Sequence, residues 1–136
     1  QALFAEVAKE VAAAKADERL ADLAGRVEKT NGELQAATLW LMNNGMTNPN
    51  NAGAAAYDYM HLTGIVALGL MWLRMGRAAV SALDGGSEDK PFYEAKLVTA
   101  RYFGERFTPE AGALRRKLEA GAESVMALPA EAFARG

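Results

Sequence analysis

The sequence contains no cysteine, a single histidine and four prolines among its 136 residues. The absence of cysteine excludes disulfides, thiolate metal ligands and a cysteine nucleophile, and is compatible with a reducing compartment. A single histidine is too few for the paired ligand motifs of a metal- or haem-binding helical bundle. We therefore expect a cytoplasmic protein without a metal site.

Long apolar runs and an excess of one charge are also absent. The formal net charge is -2, and lysine and arginine are mixed with acidic residues along the chain, so we do not expect nucleic-acid binding. The most apolar stretch, residues 64–73, is shorter than the ~20 residues that a membrane span needs. Asp58 and Arg74 lie close to its ends, which favours a core helix over a membrane span.

The chain has the composition of one folded globular domain. Apolar residues make up 51% and charged residues 24% of the sequence, and this length suits one continuous core. The first residue is Gln1, and charges interrupt every apolar run in the opening segment, which excludes a signal-peptide core there. We expect residues 1–136 to be a single helical domain cut from a longer polypeptide.

Apolar residues recur at steps of three and four, the spacing of an amphipathic helix. This spacing predicts a first helix over residues 2–14 and a second that Asp17 caps and that ends near Gly45. Gly25 and Gly32 in the second helix predict close packing or bends. Residues 43–53 are rich in Asn and Gly and predict a break, and a third helix over residues 54–83 is expected to be the most buried.

Proline and glycine mark the later boundaries. Pro91 suits the first turn of a fourth helix. Thr108 is expected to cap a further helix, or a kinked continuation, that extends to Met126 and is closed by Pro129. No β-type alternation or internal repeat occurs. The predicted fold class is all-α, an antiparallel helical bundle of four main helices plus an N-terminal helix.

Two arrangements resemble catalytic motifs only in part. Asp58 and His61 share a helix face and imitate half of a di-iron motif, but the chain has no second histidine. We expect instead that His61 pairs with Asp58 or accepts a hydrogen bond from Tyr57. None of the serines considered as nucleophiles lies in a glycine-flanked elbow, so no catalytic residue is expected; these serines are Ser81, Ser87 and Ser124.

Methionine and tryptophan side chains recur at helical spacing. They suit either the lining of a ligand cavity or the filling of irregular gaps in a core, and we favour core filling. The residues concerned are Met42, Met60, Met71, Met75 and Met126, together with Trp40 and Trp72.

The last third of the chain is locally basic. Such a face suits an acidic partner or a CoA phosphate, but glutamates are interleaved with the cations, which favours a solvated, salt-bridged face. The cations are Arg101, Arg106, Arg115, Arg116 and Lys117, and the acids are Glu94, Glu105, Glu110 and Glu119.

Two segments carry a resemblance to a known family. YDYMHLTG at residues 57–64 and KLVTARYF at residues 96–103 resemble, in order and separation, the extra C-terminal domain of bacterial acyl-CoA dehydrogenases. The resemblance extends over nearly the whole chain. Within the family, the sequence is similar to the subgroup that includes 3-methylmercaptopropionyl-CoA dehydrogenase.

This resemblance implies a parent flavoenzyme that oxidises an acyl-CoA thioester with FAD as hydride acceptor and a glutamate as general base. In the family those groups belong to the main body, so it implies no cofactor-binding or catalytic residue in this chain. The implied partners are the remainder of the parent dehydrogenase and its homo-oligomer. Aromatic and arginine side chains are the contact candidates: Tyr57, Tyr59, His61, Arg101, Tyr102 and Arg106. The alternative is a free-standing helical interaction module that binds a partner helix in a methionine-rich groove.

Overall fold

Helices account for every regular element in the part of the chain that the computed structural model describes, residues 2–134. This confirms the all-α class. The five main helices are α1 (Ala2–Ala14), α2 (Glu18–Asn44), α3 (Pro49–Asp84), α4 (Lys90–Arg106) and α5 (Glu110–Leu118). A short helix, α6 (Glu123–Met126), and a 3-10 helix (Ala130–Ala134) follow.

Side-chain caps explain where α2 and α3 begin. The Asp17 carboxylate accepts a hydrogen bond from the Arg19 backbone N–H at 2.8 Å, as predicted for this N-cap. The side chain of Asn48 accepts from the Asn50 N–H, and Pro49 occupies the first turn of α3, where its missing N–H costs nothing. The third helix therefore begins five residues before the predicted position, and the break shrinks to a short turn.

Two predictions for the C-terminal part are wrong. The Thr108 hydroxyl does not cap α5, because it donates back to the Gly104 carbonyl at the end of α4. The chain also does not continue as one helix to Met126, because Gly121 adopts a φ of +77°, a left-handed conformation that favours glycine and ends helices. The Asn51 side chain accepts from the Ala122 N–H at 2.9 Å and fixes this turn against α3.

The longest helix, α3, lies at the centre and packs against α1, α2, α4 and α5. Its inner face is fully buried at Leu62, Val66 and Leu73. It meets apolar residues of the neighbouring helices, which are Val7 and Val11 of α1, Leu20, Leu23, Val27 and Leu34 of α2, Phe103 of α4 and Leu118 of α5. Burial of this one continuous cluster is the main stabilising contribution.

Glycines let α2 and α3 approach closely, though not those expected. A Cβ on Gly76 would lie 2.7 Å from a Leu20 methyl carbon, and a Cβ on Gly69 would lie 3.0 Å from Val27. Gly25 and Gly32, by contrast, have nothing within 4 Å of a built Cβ. Of the two alternatives predicted for these α2 positions, close packing is therefore wrong, and the close contact comes from glycines of α3.

Ion pairs hold α3 to its neighbours. Arg77 donates to Glu10 of α1 at 2.8 Å, and Arg74 donates to Glu6 at 2.8 Å. Near the end of α3, Arg19 bridges Asp17 and Asp84. The hydrogen bonds from Arg19 hold the pKa of both carboxyls below the ordinary value of 3.8, because they stabilise the charged form.

Candidate functional site

The side of α3 that points away from the core is apolar, yet the chain does not bury it. Tyr57, Met60, Leu68, Met71 and Met75 are 65%, 62%, 51%, 42% and 38% exposed. Their steps of three and four place them on one stripe. We call the stripe the outer face of α3. It consists of Gly53, Tyr57, Met60, Gly64, Ala67, Leu68, Met71, Met75, Ala78 and Ala82, none of which is charged or buried.

The prediction that α3 is the most buried helix is confirmed, since it has more buried residues than any other described helix, but they all lie on its inner side. Core filling by methionine is wrong, because all six methionines of the sequence are exposed. The most exposed is Met46, at 82%. Leucine, valine and alanine fill the core instead, and Trp40 and Trp72 pack at its edge.

A groove runs beside the outer face, between α3 and the start of α5. Its volume is about 550 Å³, and the side opposite α3 is lined by the apolar residues Phe107, Ala113 and Leu114 and by the charged residues Glu110 and Lys117. The Phe107 ring stacks on Phe103 at 5.7 Å and contacts the edge of Tyr102 at 6.1 Å between ring centroids. The groove thus extends the apolar surface from α3 onto the junction of α4 and α5.

Neither contact expected of His61, a pair with Asp58 or a hydrogen bond from Tyr57, is found among residues 2–134. Asp58 is buried, and its Oδ1 lies 3.3 Å from Lys117 Nζ, although the contact lacks hydrogen-bond geometry. His61 is exposed, and its ring lies 4.3 Å from the Tyr57 ring. Within residues 2–134, no three His, Asp or Glu side chains are close enough to hold a metal ion.

The other predicted contact residues lie in different places. The Tyr59 hydroxyl is 2.7 Å from Thr38 Oγ1 of α2, so Tyr59 is half-buried on the side away from the outer face. Arg101 donates to Glu105 at 2.9 Å, and this bond raises its pKa. Tyr102 and Arg106 are exposed on the last turns of α4. The structure therefore brings Tyr57 and His61 together, with Tyr102 near the groove.

Three of the five basic residues predicted for the last third, Arg101, Arg115 and Lys117, have carboxylate partners, which confirms the salt-bridged face at these positions. Arg115 donates to Glu119 at 2.8 Å and to Glu33 of α2 at 3.1 Å. These hydrogen bonds raise the pKa of Arg115. Lys117 is held at Asp58. A pair of this kind leaves little positive potential for a free phosphate.

A second groove runs between α2 and α4. It has a volume of about 530 Å³ and three arginines in its wall. Each arginine already has a carboxylate partner: Arg19 has Asp17 and Asp84, Arg26 has Asp22, and Arg101 has Glu105. The arginines in the wall of this groove are therefore all engaged within the chain.

The apolar character of α3 also bears on the membrane question. By length and composition the helix is long and apolar enough to cross a membrane, but 44% of its most apolar stretch is buried inside the chain. Four other helices pack around it. Its two arginines are paired with α1, so its inner side has the contacts of a core helix.

Residues 3–129 match the model of a family described as "Acetyl-CoA dehydrogenase C-terminal like". The chain belongs to this family. It is 28% identical over 116 residues to the broad-specificity linear acyl-CoA dehydrogenase FadE5 of Mycobacterium tuberculosis, a match that covers 84% of the chain. The chain spans only 18% of that relative's length. The prediction of a C-terminal helical domain of acyl-CoA dehydrogenases is confirmed.

Several outer-face positions were not singled out as contacts from sequence. Gly64 and Leu68 were not considered as contact residues, and Met71 and Met75 were assigned to the core. The sequence did contain a pattern that indicates this surface: the positions spaced three or four residues apart from Gly53 to Ala82 carry no charged residue. A helix that is apolar on all sides has to be covered on all sides.

Proposed function

We propose that the chain is the non-catalytic C-terminal domain of an FAD-dependent acyl-CoA dehydrogenase and that it packs on the main body or on a neighbouring subunit. In this role residues 1–136 form one domain, an antiparallel bundle whose short connections bring successive helices together. The observation that carries the proposal is the outer face of α3, an apolar surface that this chain leaves uncovered.

The size of this surface supports burial against another protein. Six large side chains of the outer face and the groove are about half exposed. Because each such side chain presents roughly 150–250 Å², the exposed apolar area is on the order of 600 Å². That area is at the upper end of the ~300–600 Å² found for the largest patch of a typical monomer.

The chemistry of the parent enzyme lies outside this domain in our proposal. FAD bound to the main body would supply the hydride acceptor there, a glutamate of the main body would act as base, and the parent would bind acyl-CoA in the cytoplasm. The C-terminal domain contributes by supporting subunit assembly and by shaping the acyl or CoA end of the site. The segments at residues 57–64 and 96–103 support membership of the 3-methylmercaptopropionyl-CoA dehydrogenase-like subgroup.

The proposal is tested in the full-length parent with and without this segment. Bound flavin, subunit assembly and acyl-CoA oxidation are measured for both proteins. We expect deletion to weaken assembly and to reduce oxidation, because the surface that covers the outer face becomes exposed in turn. Unchanged values in all three measurements would contradict the proposal.

A matched pair of substitutions removes the ambiguity of a large deletion. Gly64 and Gly32 both have open space around a built Cβ, so Gly64→Arg and Gly32→Arg are both compatible with the fold of the domain. Only Gly64 lies on the outer face. We expect Gly64→Arg in the parent to reproduce the assembly defect and Gly32→Arg to leave assembly intact.

The second candidate function is a helical interaction module with no enzyme attached. The exposed methionines favour it, because soft, unbranched side chains suit surfaces that accept a partner helix. The native reading frame distinguishes the two: a dehydrogenase body encoded upstream supports the first function, and its absence supports the second.

A further inference from the structure

The positions that make up the outer face of α3 are arranged symmetrically along the helix, and large residues in one half mostly mirror small residues in the other. These positions lie at equal distances on either side of a point between Ala67 and Leu68. We propose that two copies of this domain pair through α3, antiparallel, with a two-fold axis at this point. The inference rests on the proposed function, since it identifies the neighbouring subunit's own C-terminal domain as the partner of the outer face.

The register that this axis imposes places large side chains level with small ones. Tyr57 comes level with Ala78 of the partner subunit, and Gly64 comes level with Met71 of the partner subunit. Gly53 comes level with Ala82 of the partner subunit, a pair of small residues. Two large pairs remain: Met60 with Met75 of the partner subunit, whose side chains are flexible, and Leu68 with its own copy beside the axis. Large-against-small matching is what lets two helix surfaces interdigitate.

Charge and area both agree with self-pairing. In an isologous interface the same surface patch of each subunit faces its copy on the other subunit. A patch with charges of one sign would therefore repel its copy. The outer face has no charged residue. The outer face and the adjoining groove together expose roughly 600 Å² of apolar area, which with the neighbouring small residues approaches the ~800 Å² per partner of a standard-size interface.

Single cysteines test the axis directly, because the chain contains no cysteine of its own. In the proposed pair, Leu68 faces Leu68 of the partner subunit across the axis. With helix axes 8–10 Å apart, the two Cα atoms come within about 4–6 Å, the range of a disulfide. Tyr57 is about 30 Å from its own copy at 1.5 Å per residue.

We therefore expect the Leu68→Cys chain to form a covalent dimer under mild oxidation and the Tyr57→Cys chain to remain uncrosslinked. Met60→Cys mixed with Met75→Cys should give the mixed disulfide. Efficient crosslinking at residue 57 would indicate a parallel pair, and crosslinking at neither residue 57 nor residue 68 would indicate no pair; both results would overturn the proposal.

Sedimentation of the unmodified chain provides the second test. We expect a dimer of twice the 14.5 kDa chain mass at tens of micromolar, a monomer for Gly64→Arg, and a dimer for the control Gly32→Arg. Circular dichroism verifies that all three are equally helical. A monomeric wild-type chain at every concentration overturns self-pairing, whereas failure of the proposed function appears separately, as an unaffected parent after deletion of the domain.

Discussion

The two faces of α3 have similar hydrophobicity and opposite surroundings. On the inner face Leu62, Val66 and Leu73 are fully buried, whereas on the outer face Met60 and Leu68 are more than half exposed. Hydrophobicity therefore predicts that a surface is covered, but not whether the same chain covers it. The inner face is covered by α1, α2, α4 and α5, and we attribute the cover of the outer face to another protein surface.

The side chains of the two faces also differ in kind. The inner face is built of leucine, valine and glycine, and Gly76 lies directly against Leu20 of α2. Such a close fit tolerates little change of side-chain volume. The outer face uses methionine, whose flexible thioether adapts to irregular surfaces. Substitutions at matched positions on the two faces should therefore have very different effects on the isolated domain.

The largest effect is expected on the inner face. Leu73→Ala removes a side chain with no solvent exposure and should lower the free energy of unfolding by about 2–5 kcal/mol, from lost burial plus a cavity. Urea denaturation measures this value. The matched control is Leu68→Ala on the outer face, studied at concentrations where the chain is monomeric.

We expect the control to change the free energy of unfolding by less than ~0.5 kcal/mol, because the side chain is already half in water. Equal losses for Leu68→Ala and Leu73→Ala would erase the distinction between the faces.

A second pair of substitutions examines how closely the inner face fits. Gly76→Ala places a methyl group 2.7 Å from a buried Leu20 methyl carbon and should destabilise by about 1 kcal/mol, since overpacking outweighs the gain in helix propensity. Gly32→Ala meets nothing within 4 Å and should stabilise by up to ~1 kcal/mol. Thermal unfolding compares the two; a stabilising Gly76→Ala would show that the contact between α2 and α3 is loose.

The smallest effect concerns the ion pairs that hold the end of α3. Arg19 keeps the pKa of Asp17 and Asp84 below 3.8. The stabilisation from these ion pairs is therefore complete at pH values above the unfolded-state pKa of the two carboxyls. It is lost as the pH falls through their lower folded-state pKa values. Stability of the wild type should fall more steeply than that of Arg19→Met below about pH 4. Parallel pH curves for the two proteins would show that Arg19 contributes nothing.

The sequence predicted the helices well where their signals are local. The bounds of α1 and the Asp17 cap follow from apolar spacing and one side chain, and both are confirmed. The early start of α3 was missed because the Asn-rich segment was interpreted as a loop, although Asn48 and Pro49 form a helix start. Local chemistry was sufficient there, and the error lay in its interpretation.

The candidate site was harder to predict for a different reason. Spacing showed that α3 is apolar on most sides but could not tell which side the other helices would occupy. That choice depends on long-range contacts, such as those of Gly69 and Gly76 with α2. The same limit explains why the methionines were assigned to the core and why Asp58 was paired with His61 instead of Lys117.

Methionine oxidation in the full-length parent tests most directly whether another protein surface covers the outer face. Dilute peroxide oxidises methionine according to its exposure, and peptide mass spectrometry reports the rate at each position. Relative to the isolated monomeric domain, the account predicts several-fold slower oxidation of Met60, Met71 and Met75 in the parent. Unchanged rates at these three positions would contradict it, because the outer face would then be open to solvent in the assembled enzyme.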